Sequence, residues 1–341
     1  MKHRWSSFLS VLLTLLSAAC VDRINLDIGG PGAYPVVIDG LITDQPGPYY
    51  VEVSKAFDIE SKLSLKEHIS VKEIVLSDNY GTSEILQHVG EGFYGTSIDG
   101  IQGMIGRVYK LRISLLDGRV YESLPDTLLA SGSVDKVYYA FRSEVNPDGL
   151  PQYGFDVYFD ASAPKGNNNR YLWYFTGTYK TSIPCCLCWV DLHNPVPLTS
   201  YQQFFQDSQF KKIRVGYVPV TGYTFMYKVR AQVTQFSLTR QAFAFWKAVQ
   251  AQANGNASLF QPVTGKIPSN FVQISGAPGL MQGLFYASSY ATNAVYITRN
   301  DLPSLSIIPI VQIAPEMQVQ QRGCTDFFPN STAVQPYWWI D

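Results

Sequence analysis

The sequence predicts a mostly β protein in which an N-terminal immunoglobulin-like β-sandwich is followed by a larger antiparallel β domain that carries one main α-helix. Three observations support this fold class. The chain of 341 residues contains 22 tyrosines and 19 phenylalanines, whereas charged residues make up only 16%, and aromatic side chains suit pleated strands. Short runs with apolar residues at every second position alternate with turns rich in glycine and proline. A strong helical period of 3.6 residues occurs over 238–253.

The first domain is predicted over 34–130. Its opening strand run, 34–43, ends at a turn over 44–48, where proline and glycine set the backbone angles. Asp117-Gly118 stands between two alternating runs and predicts a hairpin with a type I′ turn. Several short strands in this length of chain are typical of an immunoglobulin-like sandwich. The other predicted strand runs are 49–55, 71–76, 84–89, 92–96, 108–116 and 119–123.

The second domain is predicted over 131–341. Its helix, 238–253, has Ser237 as the predicted N-cap and ends at 254–256, where Asn and Gly stop it. An apolar stripe at helical spacing predicts that one face of this helix packs on the sheet. The stripe consists of Ala242, Phe243, Phe245, Trp246 and Val249. Predicted strands in this domain are 137–143, 153–160, 170–179, 215–220, 223–236, 283–289 and 294–298.

The N-terminus has the pattern of an export signal. A positive segment is followed by an apolar run over 8–16 and by small residues directly before Cys20. We therefore expect 1–19 to be a lipoprotein signal peptide, with Cys20 acylated and serving as the membrane anchor. Residues 20–33 are then a flexible tether, because acidic, Gly and Pro residues cannot form a core. The alternative is an ordinary signal peptide that leaves Cys20 as a free thiol.

Composition and motifs argue against several function classes. The net charge is −1 and the basic residues are scattered, which argues against nucleic acid as a partner. The sequence has no Gly-x-Ser-x-Gly elbow, no HExxH motif and no phosphate-binding glycine loop. Carboxylates are dispersed, so no glycosidase pair can be assigned. We therefore expect a protein that is not an enzyme and has no cofactor.

Four cysteines remain after Cys20. An even number in an exported chain predicts disulfides, and a bridge between Cys324 and the cluster Cys185, Cys186 and Cys188 is expected, with Cys186 favoured. Adjacent cysteines rarely bridge. Zinc is the alternative, but Cys185-x-x-Cys188 lacks a second pair of ligands, so no metal site is assigned.

Aromatic residues in loop-like, polar surroundings are the candidates for a binding face, because rigid rings bind with little loss of conformational entropy. The alternative is that they cap the sandwich, and this alternative is favoured for Trp338 and Trp339. The candidate residues are Tyr201, Phe204, Phe205, Tyr337, Trp338 and Trp339.

An ordered series of short motifs runs along nearly the whole mature chain. The motifs are DQPGPY at 44–49, Gly103 and Gly106 before Tyr109-x-Leu111-x-Ile113, Asp117-Gly118-x-x-Tyr121-x-Ser123, RYLW at 170–173, GTY at 177–179, Ser237-Leu238 before Ala242 and Trp246, Leu259-Phe260-x-Pro262, IPSN at 267–270 and GLFxASS at 283–289. In this order they resemble the domain of unknown function 4249 family of Bacteroidota outer-membrane lipoproteins. Members often carry a cysteine pair near the C-terminus, whereas Cys324 stands alone there.

The family has no established activity, so the resemblance implies a context. It implies a lipid-anchored outer-membrane location and a TonB-dependent outer-membrane transporter as a partner. The expected function is that of a non-catalytic binding or accessory subunit of such a nutrient uptake system. The alternatives are a structural or adhesion component of the cell envelope and a hydrolase whose site the sequence does not reveal.

Overall fold

A computed structural model describes residues 35–55, 67–164, 170–193, 196–200, 209–255, 267–311 and 323–340. Their strands, in chain order, are β1 (Val36–Thr43), β2 (Tyr50–Lys55), β3 (Glu73–Asp78), β4 (Ser83–Ile85), β5 (Gln87–Gly90), β6 (Phe93–Gly95), β7 (Val108–Ser114), β8 (Val120–Ser123), β9 (Asp126–Thr127), β10 (Ser133–Val145), β11 (Pro151–Ser162), β12 (Tyr171–Ile183), β13 (Cys186–His193), β14 (Leu198–Thr199), β15 (Gln209–Pro219), β16 (Lys228–Ser237), β17 (Phe271–Ser275), β18 (Met281–Ser288), β19 (Tyr290–Thr298) and β20 (Ser331–Thr332). The α-helices are α1 (Arg240–Gly255) and α2 (Cys324–Phe327).

The first pair of sheets encloses one apolar core. Sheet 1 has the strand order β18-β1-β2-β6-β5, and sheet 2 has the order β17-β8-β7-β3-β4 with β9 beside β7. Alternate residues of both sheets point into the space between them and are buried there, as period two requires. The largest of these side chains include Tyr109, Tyr121, Phe285, Ile38, Ile42 and Ile74.

The second pair of sheets encloses a larger, aromatic core. Sheet 3 has the order β10-β11-β15, and sheet 4 has the order β19-β16-β12-β13-β20 with β14 beside β12. Trp173 is buried at the centre of this core, where its indole N–H donates to Gln235 Oε1 at 2.7 Å. Gln235 in turn donates to the Ser131 carbonyl at 2.6 Å, so the polar atoms of this buried pair are satisfied.

The predicted fold class is confirmed: the protein is mostly β, with antiparallel sheets and one main helix. Two strands from late in the chain belong to the first pair of sheets. β17 pairs with β8, and β18 pairs with β1 in parallel, from Val36 opposite Met281 to Thr43 opposite Ser288. The predicted range of the first domain, 34–130, does not include these strands.

The outer edge of β18 is covered by two buried side chains. Asn270 accepts a hydrogen bond from the Phe285 N–H at 3.1 Å and donates to the Phe285 carbonyl at 2.6 Å. Asp126 accepts from the Ala287 N–H at 2.9 Å and from the Thr239 hydroxyl at the start of α1. These contacts satisfy backbone groups that an open strand edge would leave unpaired. They also join the end of the first sandwich to the helix.

The buried carboxyl of Asp126 is expected to give the protein an unusual dependence of stability on pH. Burial raises the pKa of its carboxyl from 3.8 to about 6, although hydrogen bonds from Thr239 and Ala287 oppose the rise. A carboxyl whose pKa is higher in the folded state binds its proton more tightly there, so its contribution to stability is lost as pH rises from about 4 through 6. At about 1.4 kcal/mol for each pH unit between the two pKa values, the loss is on the order of 3 kcal/mol.

We therefore expect Asp126→Asn, which does not titrate, to match the wild type near pH 4 and to be more stable than it at pH 7. Urea unfolding of both proteins at a series of pH values measures this difference. Parallel pH profiles of the two proteins would contradict the assignment, because Asp126 would then not be the titrating group.

The Asp117-Gly118 hairpin is present, but its turn differs from the predicted type I′. Ser114 pairs with Val120, and the Leu115 N–H donates to the Arg119 carbonyl at 2.8 Å. Gly118 has a φ of +87°, whereas Asp117 is not among the residues with positive φ. A three-residue loop with glycine in the left-handed region fits this pattern, and a type I′ turn, which needs positive φ at both central residues, does not.

The main helix begins two residues later than predicted. Ser237 is the last residue of β16 and donates its hydroxyl to the Leu129 carbonyl, so it is not the N-cap. Thr239 has that role, because its hydroxyl accepts from the Ala242 N–H at 3.4 Å. Four residues of the predicted apolar stripe, Ala242, Phe243, Phe245 and Trp246, pack against β18 and sheet 4, and Ala242 is buried.

No α-helix in the described ranges combines the length and the apolar character that crossing a membrane requires.

Candidate functional site

A cleft of about 410 Å³ lies between the outer faces of sheet 1 and sheet 4, and α1 closes one end of it. Clefts of this size between packed elements are the usual location of small-molecule sites. The sheet 1 side is formed by Asp39, Gly40, Leu41, Tyr50, Glu52, Phe93 and Tyr286, the last from β18. The opposite side is formed by Tyr174, Thr176, Thr234 and Phe236 of sheet 4 and by Trp246 of α1.

The sheet 1 side carries two carboxylates in one row. Asp39 of β1 is directly opposite Glu52 of β2, and Glu52 is opposite Phe93 of β6. Because side chains alternate along a strand, all three project from the face that is turned away from the core. Directly opposed side chains have their Cβ atoms about 5 Å apart, so both carboxylates face the same space. His68 Nε2 lies 2.9 Å from Glu52 Oε1.

The opposite side of the cleft is a group of aromatic rings in contact with one another. Tyr174 meets Phe236 edge to face with ring centroids 5.6 Å apart, and it meets Trp246 in the same way at 6.1 Å. Trp246 also meets Tyr286 at 6.3 Å. Rings that hold each other in this geometry are fixed in orientation. The aromatic side is therefore a preformed surface rather than a set of independent side chains.

The hydroxyls of Tyr174 and Tyr286 stay neutral. Tyr286 is buried, and burial raises the pKa of its hydroxyl well above the usual value, with Tyr174 and then Asp39 adding to the rise. Burial is also the main cause that raises the pKa of Tyr174, and the charge of Asp39 is the next. Neutral phenols can both donate and accept hydrogen bonds. The charge of Asp39 thus acts on Tyr174 across the cleft.

Of the aromatic residues predicted as a binding face, Tyr337, Trp338 and Trp339 are described, and none of these three lines the cleft. Tyr201, Phe204 and Phe205 lie outside the described residues. Tyr337 is 98% exposed and its binding role stays a prediction. The predicted candidates lie in loop-like segments of the sequence, whereas the rings that line the cleft belong to strands and to α1.

Trp338 and Trp339 pack on the edge of sheet 4. Trp339 is only 4% exposed and meets Tyr296 edge to face at 5.7 Å. Trp338 is half-buried, and the guanidinium of Arg230 lies 4.4 Å from its ring centroid, within range of a cation–π contact. Burial of Trp339 contradicts its assignment to a binding face and supports the alternative, in which it caps the sandwich.

The cysteines form two bridges, and the favoured pair Cys186–Cys324 is not one of them. Cys324 bridges Cys188, one of the predicted alternatives, with a Cα–Cα distance of 5.6 Å. Cys185 and Cys186 bridge each other, contrary to expectation. The reason for the first correction lies in β13: Cys188 points into the core and is fully buried, next to Cys324, whereas Cys186 is only half-buried. Cys20 lies outside the described residues.

The sequence does not predict that the two cleft carboxylates are neighbours, because they belong to separate strands. Asp39 and Glu52 are thirteen positions apart, and nothing in their spacing shows that their strands pair. The sequence does contain one signal. Asp39 and Glu52 lie on the outer faces of their strands, and on the same faces stand Leu41, two residues after Asp39, and Tyr50, two residues before Glu52. An outer face with such residues is one that another element covers.

A model of the family described as Domain of unknown function (DUF4249) matches residues 24–294 of the chain. A comparison with curated proteins finds no match. The matched range contains every residue that forms the cleft, whereas Cys324, Trp338 and Trp339 lie beyond it. The cleft is thus built from the part of the chain that matches the family.

Proposed function

The chain belongs to this family of domains of unknown function, and from that premise we propose that it is a non-catalytic binding lipoprotein of the outer membrane. Acylated Cys20 anchors it, and the cleft between sheet 1 and sheet 4 accepts a ligand. The ligand is then passed to a TonB-dependent transporter, for which this protein is an accessory subunit. The anchor is supported by the N-terminal sequence, and the partner is supported by the family resemblance.

The observation that carries the binding role is the chemistry of the cleft. A concave site with fixed aromatic rings on one side and a few polar groups on the other can bury the apolar part of a ligand and orient its polar part. Tyr50 keeps 51% of its surface exposed at this site, which leaves a large amphipathic ring available to a ligand. Such a ring loses little conformational entropy on binding.

One observation favours a hydrolase as the second candidate. Asp39 and Glu52 stand opposite each other in one cleft, and paired carboxylates perform acid–base and nucleophilic steps in glycosidases. However, Glu52 Oε1 lies 2.9 Å from His68 Nε2, so one oxygen of this carboxyl already has a partner. This contact weighs against a role in which the carboxyl exchanges a proton with a substrate.

Filling the cleft tests the binding role. Thr234 is half-buried on the sheet 4 side, and Thr234→Trp places an indole in the space that a ligand would occupy. We expect tagged full-length wild type, purified from solubilised outer membrane, to carry a small molecule that mass spectrometry detects in the denatured eluate. The variant is expected to carry at least tenfold less. A TonB-dependent transporter is expected to co-purify with both proteins.

Thr332→Trp is the matched control. Thr332 is exposed in β20, at the edge of sheet 4 away from the cleft strands, and does not line the cleft, so this variant should retain the small molecule. Recovery of neither a small molecule nor a transporter with the wild type would refute the proposal and favour the structural or adhesion role. A ligand that the wild type cleaves over time and Asp39→Asn leaves intact would refute it in favour of the hydrolase.

A further inference from the structure

We propose that a second site, on the outer face of sheet 4, binds a phosphomonoester of a small polar molecule, such as a sugar phosphate. The site goes beyond the binding role of the cleft, because the two share no lining residue. Three features carry the proposal: a cavity of suitable size, positive charges that neutral partners hold there, and a described lining without a carboxylate.

The site is a cavity of about 470 Å³ at the end of sheet 4, where β16 begins and β19 ends. Lys228, the first residue of β16, is opposite Thr298, the last residue of β19. Their neighbours Val229 and Ile297 are buried in the core, so Lys228 and Thr298 project from the outer face. A cavity of this volume has room for a small organic molecule rather than for an inorganic ion alone. Its lining residues are Lys180, Tyr227, Lys228, Thr298, Arg299 and Asn300.

Aromatic rings hold the positive charge of Lys228 in place. Its Nζ lies 4.7 Å from the ring centroid of Tyr296 and 5.6 Å from that of Trp339, within the range of cation–π contacts. The residue is half-buried, which leaves its side chain fewer conformations than an exposed lysine has. An anion that binds here therefore meets an ammonium group that is already positioned, and less conformational entropy is lost on binding.

Arg299 adds a second positive charge with a geometry that suits an oxyanion. It follows Thr298 directly, is exposed, and donates from its guanidinium to the Met226 carbonyl at 3.4 Å. A guanidinium is a planar fork of N–H donors that matches two oxygens of a phosphate group. Asn300 and Tyr227 are exposed residues of the same lining, and their amide and hydroxyl groups can donate to further oxygens of the ligand.

The charge of the site favours a dianion. Asp301, two residues after Arg299, does not line the cavity, and its carboxylate accepts from the Thr298 N–H at 2.7 Å and from the Thr298 hydroxyl at 2.8 Å. The described partners of Lys228 are rings and that of Arg299 is a carbonyl, so both cations keep their charge available to a ligand. A phosphomonoester carries nearly two negative charges above its second pKa of about 6, whereas a carboxylate carries one.

Titration calorimetry of the full-length protein in nonionic detergent micelles at about pH 8 tests the inference, because a phosphomonoester is a dianion there. The probes are glucose 6-phosphate, glucose, gluconate and inorganic phosphate. We expect glucose 6-phosphate to bind at least tenfold more tightly than gluconate, which has one negative charge, and glucose not to bind. Inorganic phosphate should bind at least threefold more weakly than the ester, because it leaves most of the cavity unfilled. Added salt should weaken binding of the ester.

Two variants locate the effect. Arg299→Gln and Lys228→Met should each weaken binding of glucose 6-phosphate at least fivefold, and methionine keeps an unbranched stem beside the rings that Lys228 contacts. Lys247→Gln is the matched control, because it removes a lysine that is exposed on α1 and does not line the cavity, so it should bind as the wild type does. Thermal unfolding of Lys228→Met is measured alongside, and Arg299→Gln alone decides the outcome if that variant is unfolded.

No binding of glucose 6-phosphate, binding no tighter than that of gluconate, or unchanged binding in Arg299→Gln would overturn the inference. Equal affinity for inorganic phosphate would also overturn it, because the site would then recognise the free ion rather than an ester. These outcomes are distinct from failure of the proposed function. Thr234→Trp fills the cleft and does not touch the lining of this cavity, so that variant should bind glucose 6-phosphate as the wild type does.

Discussion

Replacing Cys324 with serine is expected to lower the free energy of unfolding by about 5 kcal/mol. Its bridge to Cys188 closes a loop with a sequence separation of 136, and a cross-link over so long a loop removes much of the entropy of the unfolded chain. The bridge is buried at the end of the second core, so the variant would also leave one serine hydroxyl and the free thiol of Cys188 in an apolar region. The midpoint temperature of thermal unfolding should decrease by about 10 °C.

The double variant Cys185→Ser/Cys186→Ser is the matched control, because it also removes one bridge. That bridge joins neighbouring residues and closes almost no loop, so we expect little loss of stability. Cys188→Ser should fall between the two, since Cys186 Sγ lies 3.7 Å from Cys324 Sγ and can replace the lost partner. Similar unfolding midpoints for Cys324→Ser and the double variant would show that the long loop contributes nothing.

Gly283→Ala is expected to cost about 3–5 kcal/mol, which places it among the most damaging single substitutions. Gly283 has a φ of +106°, a conformation that residues with a Cβ rarely adopt. In addition, a Cβ at this position would overlap the Ile38 carbonyl oxygen on the neighbouring strand. Ile38 and Gly283 are opposite each other in the parallel pair of β1 and β18, so the variant must separate the two strands or shift their backbones.

Gly118→Ala separates the cost of a positive φ from the cost of steric overlap with a neighbouring strand. Gly118 has a similar φ of +87° but has no atom within 4 Å of an added Cβ, so it should cost only about 1 kcal/mol. Urea unfolding at one pH measures both variants. A cost for Gly283→Ala as small as that of Gly118→Ala would mean that the two strands do not approach as closely as the structure has them.

Local patterns predicted most strands because the information is local. The alternation of Val51 and Val53, or of Phe155, Val157 and Phe159, fixes which residues are buried whatever the partner strand is. β13 is not among the predicted strands, because its cysteines and Trp189 obscure the period-two alternation of Cys188 and Val190. Within it, Cys188 and Val190 are buried on the core side.

Pairing between distant strands could not be predicted from such patterns. The run at 283–289 was expected to be a strand, but its partner β1 lies at the other end of the chain. The cleft depends on this pairing, because β18 brings Tyr286 and the helix beside Asp39 and Leu41. Alternation specifies the face of a residue and leaves its neighbour across the sheet open. The sequence therefore predicts the strands β1 and β18 but not the cleft that their pairing creates.

The pairing of β1 with β18 also determines when the protein can fold. A ribosome releases the N-terminal strands first, yet sheet 1 lacks its edge strand, and sheet 2 lacks β17, until almost the whole chain has been made. Until then β1 presents an unpaired apolar edge, which is the kind of surface that aggregates. A nascent chain of this protein thus exposes that edge until β18 has been made, and a fragment that ends near residue 130 would keep it open permanently.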